Sequence, residues 1–232
     1  NNKQSPGVLY AAKKLGIKEI YSVGGAQAIA ALTYGTKRIK KVNKIVGPGN
    51  IFVSAAKKEV FGDIGIDMVA GPSEITVVAD KFSNANWVAA DLLAQAEHDK
   101  NSQCILISKD KNFINKVKNS ILVQLKSLPR KFVAKKSLES NGILILARSD
   151  KKIIEVINTI APEHLELNIR NYKNILNKIN NAGSICLGNY SAMAIADYNA
   201  GTNHILPTDS SAKFSSGLSV YDFYKRISYI NL

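Results

Sequence analysis

Apolar residues along this chain fall into short β-branched runs separated by stretches with helical spacing. Lys18-Glu-Ile-Tyr-Ser-Val23 runs into Gly24-Gly25 and then a small-residue helix over 26–32. Val42-Asn-Lys-Ile-Val46 leads through Gly47-Pro-Gly-Asn50 to a helix ending near Val60. Glu74-Ile-Thr-Val-Val-Ala79 precedes a long helix over 84–98, and Gln103-Cys-Ile-Leu-Ile107 precedes another over 111–125. Gly142-Ile-Leu-Ile-Leu146 precedes a helix over 151–160, and Ser184-Ile-Cys-Leu187 closes the series before Gly188-Asn-Tyr-Ser191. Strands alternating with helices in this way predict an α/β fold with largely parallel sheets.

Such folds place ligands at the carboxyl ends of their strands. Gly24-Gly25, Gly47-Pro48-Gly49 and Gly71-Pro72 are expected at those ends. A domain boundary is expected near Gly71-Pro72, and a Ser-rich linker over 210–216. No repeat long enough for a solenoid is present.

With 46% hydrophobic and 21% charged residues among 232, the chain can bury a real core. No run of about 18 apolar residues exists, which excludes a transmembrane helix. The formal net charge of +13 raises a nucleic-acid partner. Only five cations are Arg (Arg38, Arg130, Arg148, Arg170 and Arg226), and Arg is the residue favoured for specific phosphate and base contacts. The Lys residues are scattered, and Lys, Asn and Ile rise together, so the charge reads as composition drift and no nucleic-acid partner is expected. Cys104 and Cys186 each lie inside an apolar run and read as buried thiols of a cytoplasmic protein. Without a CxxC pair, a thiolate zinc cage is excluded.

No Walker-type GxxxxGK[ST] and no GxGxxG occurs. Gly24-Gly-Ala-Gln-Ala28 is a strand-to-helix turn whose amides could face an anion, or simply a tight turn needing small residues. Gln95 and His98 are three apart on the expected helix and share a face, where an amide oxygen and an imidazole can converge. The same His could equally interact with the last carbonyls of its helix. Glu163 and His164, behind Pro162, give a carboxylate and an imidazole, the usual partners for proton transfer near neutral pH; a polar helix start or loop is the alternative. Asp197 follows a small-residue stretch and precedes Gly201-Thr-Asn-His204. Gln, His and Asp together suit zinc or another borderline divalent ion.

In sequence order, five motifs resemble those of the histidinol dehydrogenase family, as do the residues around them. These are Gly24-Gly-Ala-Gln-Ala-Ile-Ala-Ala-Leu32, Val46-Gly-Pro-Gly-Asn50, Val69-Ala-Gly-Pro-Ser-Glu-Ile75, Trp87-Val-Ala-Ala-Asp-Leu-Leu-Ala-Gln-Ala-Glu-His98 and Ala161-Pro-Glu-His-Leu165. Gly188-Asn-Tyr-Ser191 and Asp197-Tyr-Asn-Ala-Gly-Thr-Asn-His204 continue the match over essentially the whole chain. The resemblance implies two-step, NAD-dependent oxidation of L-histidinol to L-histidine through a bound aldehyde, the last step of histidine synthesis. It implies zinc ligands at Gln95, His98 and Asp197, and Glu163 and His164 as the catalytic pair. It also implies NAD contacts at Gln27 and Asn50, and a substrate contact at Ser73 beside the ligands and the pair. Two Rossmann-like parallel-sheet domains, both incomplete here, are implied: 1–70 part of the NAD domain, 71–216 the main zinc and substrate domain, and 217–232 the start of a tail. A homodimer with sites completed across its interface is implied as well.

The resemblance also implies a further N-terminal portion and a C-terminal segment supplying a fourth zinc ligand, a His, and a substrate-binding Glu. This chain is therefore expected to be an internal segment. An inactive fragment or remnant of the same enzyme is the first rival. A basic nucleic-acid-binding protein and a zinc hydrolase are further rivals, the last without an HExxH helix to support it.

Overall fold

The computed structural model describes residues 4–232. These divide into two compact units, one ending at Val69 and the other spanning Ala70–Leu232.

In the first unit, α1 (Pro6–Lys14) starts on a proline at its first position, where the missing N–H costs nothing. Then come α2 (Gly25–Tyr34), β1 (Lys44–Ile45), α3 (Ile51–Glu59) and β2 (Gly65–Ile66). β1 and β2 pair in parallel, Lys44 with Gly65 and Ile45 with Ile66. The small core here is Ile29, Ile45, Val60 and Ile64. The strand expected over 18–23 does not form. Ile20, Tyr21 and Val23 are exposed and no ladder receives them, so β propensity has nothing to pair with. The strand expected over 42–46 shortens to two residues.

The second unit is a three-layer α/β sandwich. Its elements are β3 (Glu74–Ala79), α4 (Ala85–Ala96), β4 (Gln103–Ser108), α5 (Lys111–Gln124), α6 (Lys131–Asn141) and β5 (Gly142–Leu146). They continue through α7 (Asp150–Ile160), β6 (His164–Asn168), α8 (Lys173–Leu176), β7 (Ser184–Leu187) and α9 (Met193–Tyr198). The sheet is parallel throughout, in the order β5-β4-β3-β6-β7.

Alternation along the strands splits the core. Ile75, Val77, Ala79, Cys104 and Leu106 face α4, α5, α6 and α9. Val78, Ile105, Ile107, Leu165 and Leu167 face α7 and α8. Both cysteines are buried free thiols, and burial pushes Cys104 up to about 12 and Cys186 up to about 11. No helix among the described residues is long and apolar enough to cross a membrane.

Two sequence expectations need correction. α4 ends at Ala96, so His98 lies in the turn beyond the helix rather than on its face. The second concerns which edge of the sheet carries the candidate residues. His164 opens β6, and Ser73 stands immediately before β3. Both therefore lie at the amino edge of the central strands, not the carboxyl edge. The reason is topological. Each helix of a parallel βαβ unit runs back against its strands, so the residues ending a helix and those starting the next strand meet at one edge.

Candidate functional site

Three chain segments bring polar groups to that amino edge. The first is the link from α7 to β6. α7 ends on Ala161 in left-handed backbone, with φ 51°, which turns the chain sharply into Pro162, Glu163 and His164. The second is the start of β3. The backbone N–H of Glu74 donates to Glu163 Oε2 at 2.8 Å, and its carbonyl lies 3.2 Å from His164 Nδ1. One backbone residue thus holds both members of the candidate pair. It also fixes the imidazole: with Nδ1–H donated to a carbonyl, the ring turns Nε2 away from β3 and toward Asp197.

The third segment runs from β7 through α9 into the following loop. Asp197 brings Oδ1 to 3.2 Å from His164 Nε2, and its Oδ2 lies 3.5 Å from His204 Nδ1. Glu163 and His164 are both buried. Burial alone disfavours the imidazolium, but hydrogen bonds and charge from Asp197 and Glu163 outweigh it and push His164 up to about 10. The Asp197 carboxyl is correspondingly held below its ordinary range: burial raises it, and His164 and then His204 more than compensate.

The remaining sequence candidates sit as follows. Gln95 is buried in the last turn of α4, and His98 is exposed just beyond it. Among the described residues no hydrogen bond or ion pair joins either to Asp197, and no three His, Cys, Asp or Glu side chains gather as a metal cage. Ser73 accepts from Gln103 N–H through its backbone carbonyl. In the first unit, Gln27 is exposed in the first turn of α2. Asn50 is the N-cap of α3, its Oδ1 accepting from Phe52 and Val53 N–H at 3.1 Å each. Its loop is clamped by a buried ion pair. Lys57 Nζ donates to Gly47 O at 2.6 Å and to Asp67 Oδ1, while Asp67 Oδ2 accepts from Gly47 N–H at 2.7 Å.

No motif or spacing singles out Glu74, Asp91 or Glu166. Their signal is positional: a carboxyl at the first residue of a strand, or inside an element otherwise apolar. Glu74 accepts from Asp209 N–H at 3.0 Å, and its other oxygen is buried without a partner among the described residues. Burial pushes its carboxyl up to about 7 and that of Glu166 up to about 8.

These two carboxyls give a pH prediction. Each binds its proton more tightly folded than unfolded, where the value is 4.5. Their contribution is therefore full below 4.5 and lost as pH rises through about 7 and 8. His164, raised as well, acts in the same direction. Thermal melts should show a midpoint that falls from pH 5 to pH 8.5, by roughly 2–4 °C for each kcal/mol lost. A midpoint that rises across this window would contradict the assignment.

Gly183 gives a second. A Cβ there would stand 2.6 Å from Glu163 O and 3.1 Å from Pro207 Cδ. Gly183→Ala should cost about 1–3 kcal/mol through overpacking against the backbone that carries the pair. An unchanged urea midpoint would show that this strand entry is looser than its packing implies.

An α/β sandwich with a buried carboxylate–imidazole–carboxylate row at the amino edge of a parallel sheet is the class of protein defined here. Comparison with known proteins gives the family. The histidinol dehydrogenase family model matches residues 1–232. Histidinol dehydrogenase of Pelagibacter ubique is 68% identical over 231 residues, covering 99% of this chain and 54% of that protein. The Listeria monocytogenes histidinol dehydrogenase is 52% identical over 230 residues, with the same coverage. A crystal structure of histidinol dehydrogenase from Elizabethkingia anophelis superposes with a TM-score of 0.93 at 47% identity, covering 96% of this chain and 51% of that one. This chain belongs to the histidinol dehydrogenase family. It spans about half the length of the curated relatives it matches.

Proposed function

We propose that the native protein containing this chain oxidises L-histidinol to L-histidine with NAD, through L-histidinaldehyde, at the amino-edge site. The observation that carries the reading is the largely buried row Glu163, His164 and Asp197, with His164 hydrogen-bonded to Asp197 and Glu163 Oε2 3.6 Å from its Nδ1, in a member of this family.

Zinc suits the donors in kind, since Gln95, His98 and Asp197 offer nitrogen and oxygen to a borderline divalent ion. The fold supports a cation at this edge. α4 and α9 both end there, and helix carboxyl ends carry partial negative charge. Gln95, His98 and Asp197 would hold the ion. When bound, zinc would orient and polarise the substrate and NAD would accept hydride.

The chain's own residues do the rest. While Asp197 holds it, His164 is the imidazolium; with Asp197 engaged by the ion instead, His164, its Nδ1 tied to the Glu74 carbonyl, would take the alcohol proton at Nε2. The alcohol carbon gives up hydride and becomes the aldehyde. Glu163 then takes a proton from the water that adds to the aldehyde carbon. The hydrate loses a second hydride and a proton, leaving the carboxylate. Ser73, beside these groups at the start of β3, would touch substrate. Gln27 and Asn50 would contact NAD. The loop carrying Asn50 is held rigid by Lys57 and Asp67, which suits a residue that must meet a cofactor. We also propose a homodimer. Support for it is the row of exposed apolar side chains Phe214, Tyr221, Tyr224, Tyr229 and Ile230 near the C-terminal end, area that a second copy would cover.

The test is NADH formation by the native protein on addition of L-histidinol. It should disappear on chelation and return with zinc. Full activity after exhaustive metal removal would overturn the zinc part of the reading.

A further inference from the structure

Glu166 lies two residues beyond His164 on β6 and is fully buried. It shares a face with His164 and Asn168, since their partners on β3 are Ile75, Val77 and Ala79, which pack toward α4 and α9. A carboxyl in that layer is expensive unless every oxygen is used, and here each one is. Oε1 accepts from the backbone N–H of Met193, the first residue of α9, at 2.8 Å. Oε2 accepts from Asn168 Nδ2 at 3.1 Å. The carboxyl of Asp91 on α4 is hydrogen-bonded to Glu166 as well. Two carboxyls in contact need a proton between them. Burial and their mutual repulsion keep it there at neutral pH, with the Cys186 thiol, on the neighbouring strand, uncharged beside them.

Each of the three elements meeting at Glu166 carries a residue of the site. Asp91 is four residues before Gln95, on the same face of α4. β6 carries His164. α9, only six residues long, carries Asp197 and is held to β6 at both ends: Met193 by Glu166, and Asp197 by His164. We propose that Glu166 is a positioning residue, a single buried carboxyl that binds α4 and α9 to β6 and thereby sets the distance between Asp197 and His164. It touches neither substrate nor cofactor. This inference rests on the function proposed above for the same site.

The test uses the native protein and four substitutions. Glu166→Gln is isosteric with the protonated acid. Its carbonyl can accept from Met193, and its amide can donate to Asp91 and to Asn168 Oδ1 once the Asn168 amide turns over, so it should restore turnover close to that of the unsubstituted protein. Its infrared spectrum should lack one protonated-carboxyl band. Glu166→Leu removes all three bonds. It should lower kcat by about 10²-fold, the effect of a misplacement of roughly 1 Å, while leaving KM for NAD unchanged. Amides of 193–198 should exchange faster with solvent in Glu166→Leu but not in Glu166→Gln. Met193→Pro deletes the donated N–H along with the buried Met side chain without breaking the helix, because proline fits the first position of a helix and Ala192 before it is already extended, with ψ 144°. It should lower kcat as Glu166→Leu does, whereas Met193→Ala, which keeps the N–H, should lower it less.

If Glu166→Leu does not fold, Met193→Pro against Met193→Ala carries the test alone. Folded Glu166→Leu and Met193→Pro variants with unchanged kcat would overturn the proposal. So would Glu166→Gln as impaired as Glu166→Leu, since the charge and not the bonding would then matter. If the native protein forms no NADH from L-histidinol at all, the functional reading fails; the exchange of 193–198 then decides the positioning role by itself.

Discussion

Replacing His164 by alanine in the native protein should lower L-histidinol oxidation by about 10²–10⁴-fold, the usual range for a lost general base. The expectation comes from how the ring is held. Nδ1 is committed to the Glu74 carbonyl, and Nε2 is directed at Asp197. The ring is buried, so no solvent group can substitute for it. His164→Ala does not touch Gln95 or His98; it removes one tie of α9 but keeps the Glu166–Met193 tie and the Asp197–His204 contact. Bound zinc should therefore be retained, and metal analysis of the variant should match that of the unsubstituted protein. Loss of zinc together with activity would make His164 part of the metal site and the assigned role wrong.

Replacing Lys57 by methionine should give the largest stability loss. Lys57 and Asp67 are almost entirely buried, with side-chain exposures of 3% and 1%. Removing one charge strands the other, which costs about 3–5 kcal/mol, against roughly nothing for a surface pair such as Lys109–Asp150. The loss should be local. Lys57 closes a ring through Gly47 and Asp67, and Gly47 starts the loop that ends on Asn50. Amide exchange should rise over α3 and the loop before it, and KM for NAD should increase. Protection of α3 equal to that of the unsubstituted protein would show that the clamp contributes little.

The strands legible in the sequence are those written as continuous apolar runs, whatever their exposure: β3 and β4 are buried along all or nearly all of their length, while β5 is a largely exposed edge strand. β6 escaped for the opposite reason. His164, Glu166 and Asn168 alternate with Leu165 and Leu167, so half of a fully buried strand looks like a polar loop. Ile20, Tyr21 and Val23 misled in the other sense, apolar and β-branched yet exposed and unpaired. At the site, the Glu163–His164 pair and Asp197 were legible as motifs. Their convergence was not, because it depends on α9 returning to the start of β6. Glu74 was invisible in its main role, which its backbone performs.

The most direct measurement counts NADH against L-histidine formed by the native protein, supplied with zinc, NAD and L-histidinol. An alcohol taken to a carboxylate gives up two hydrides. Two NADH should form for each L-histidine, with no aldehyde released into solution. A zinc-loaded native protein that forms no NADH, or that stops after one with free aldehyde accumulating, would contradict it.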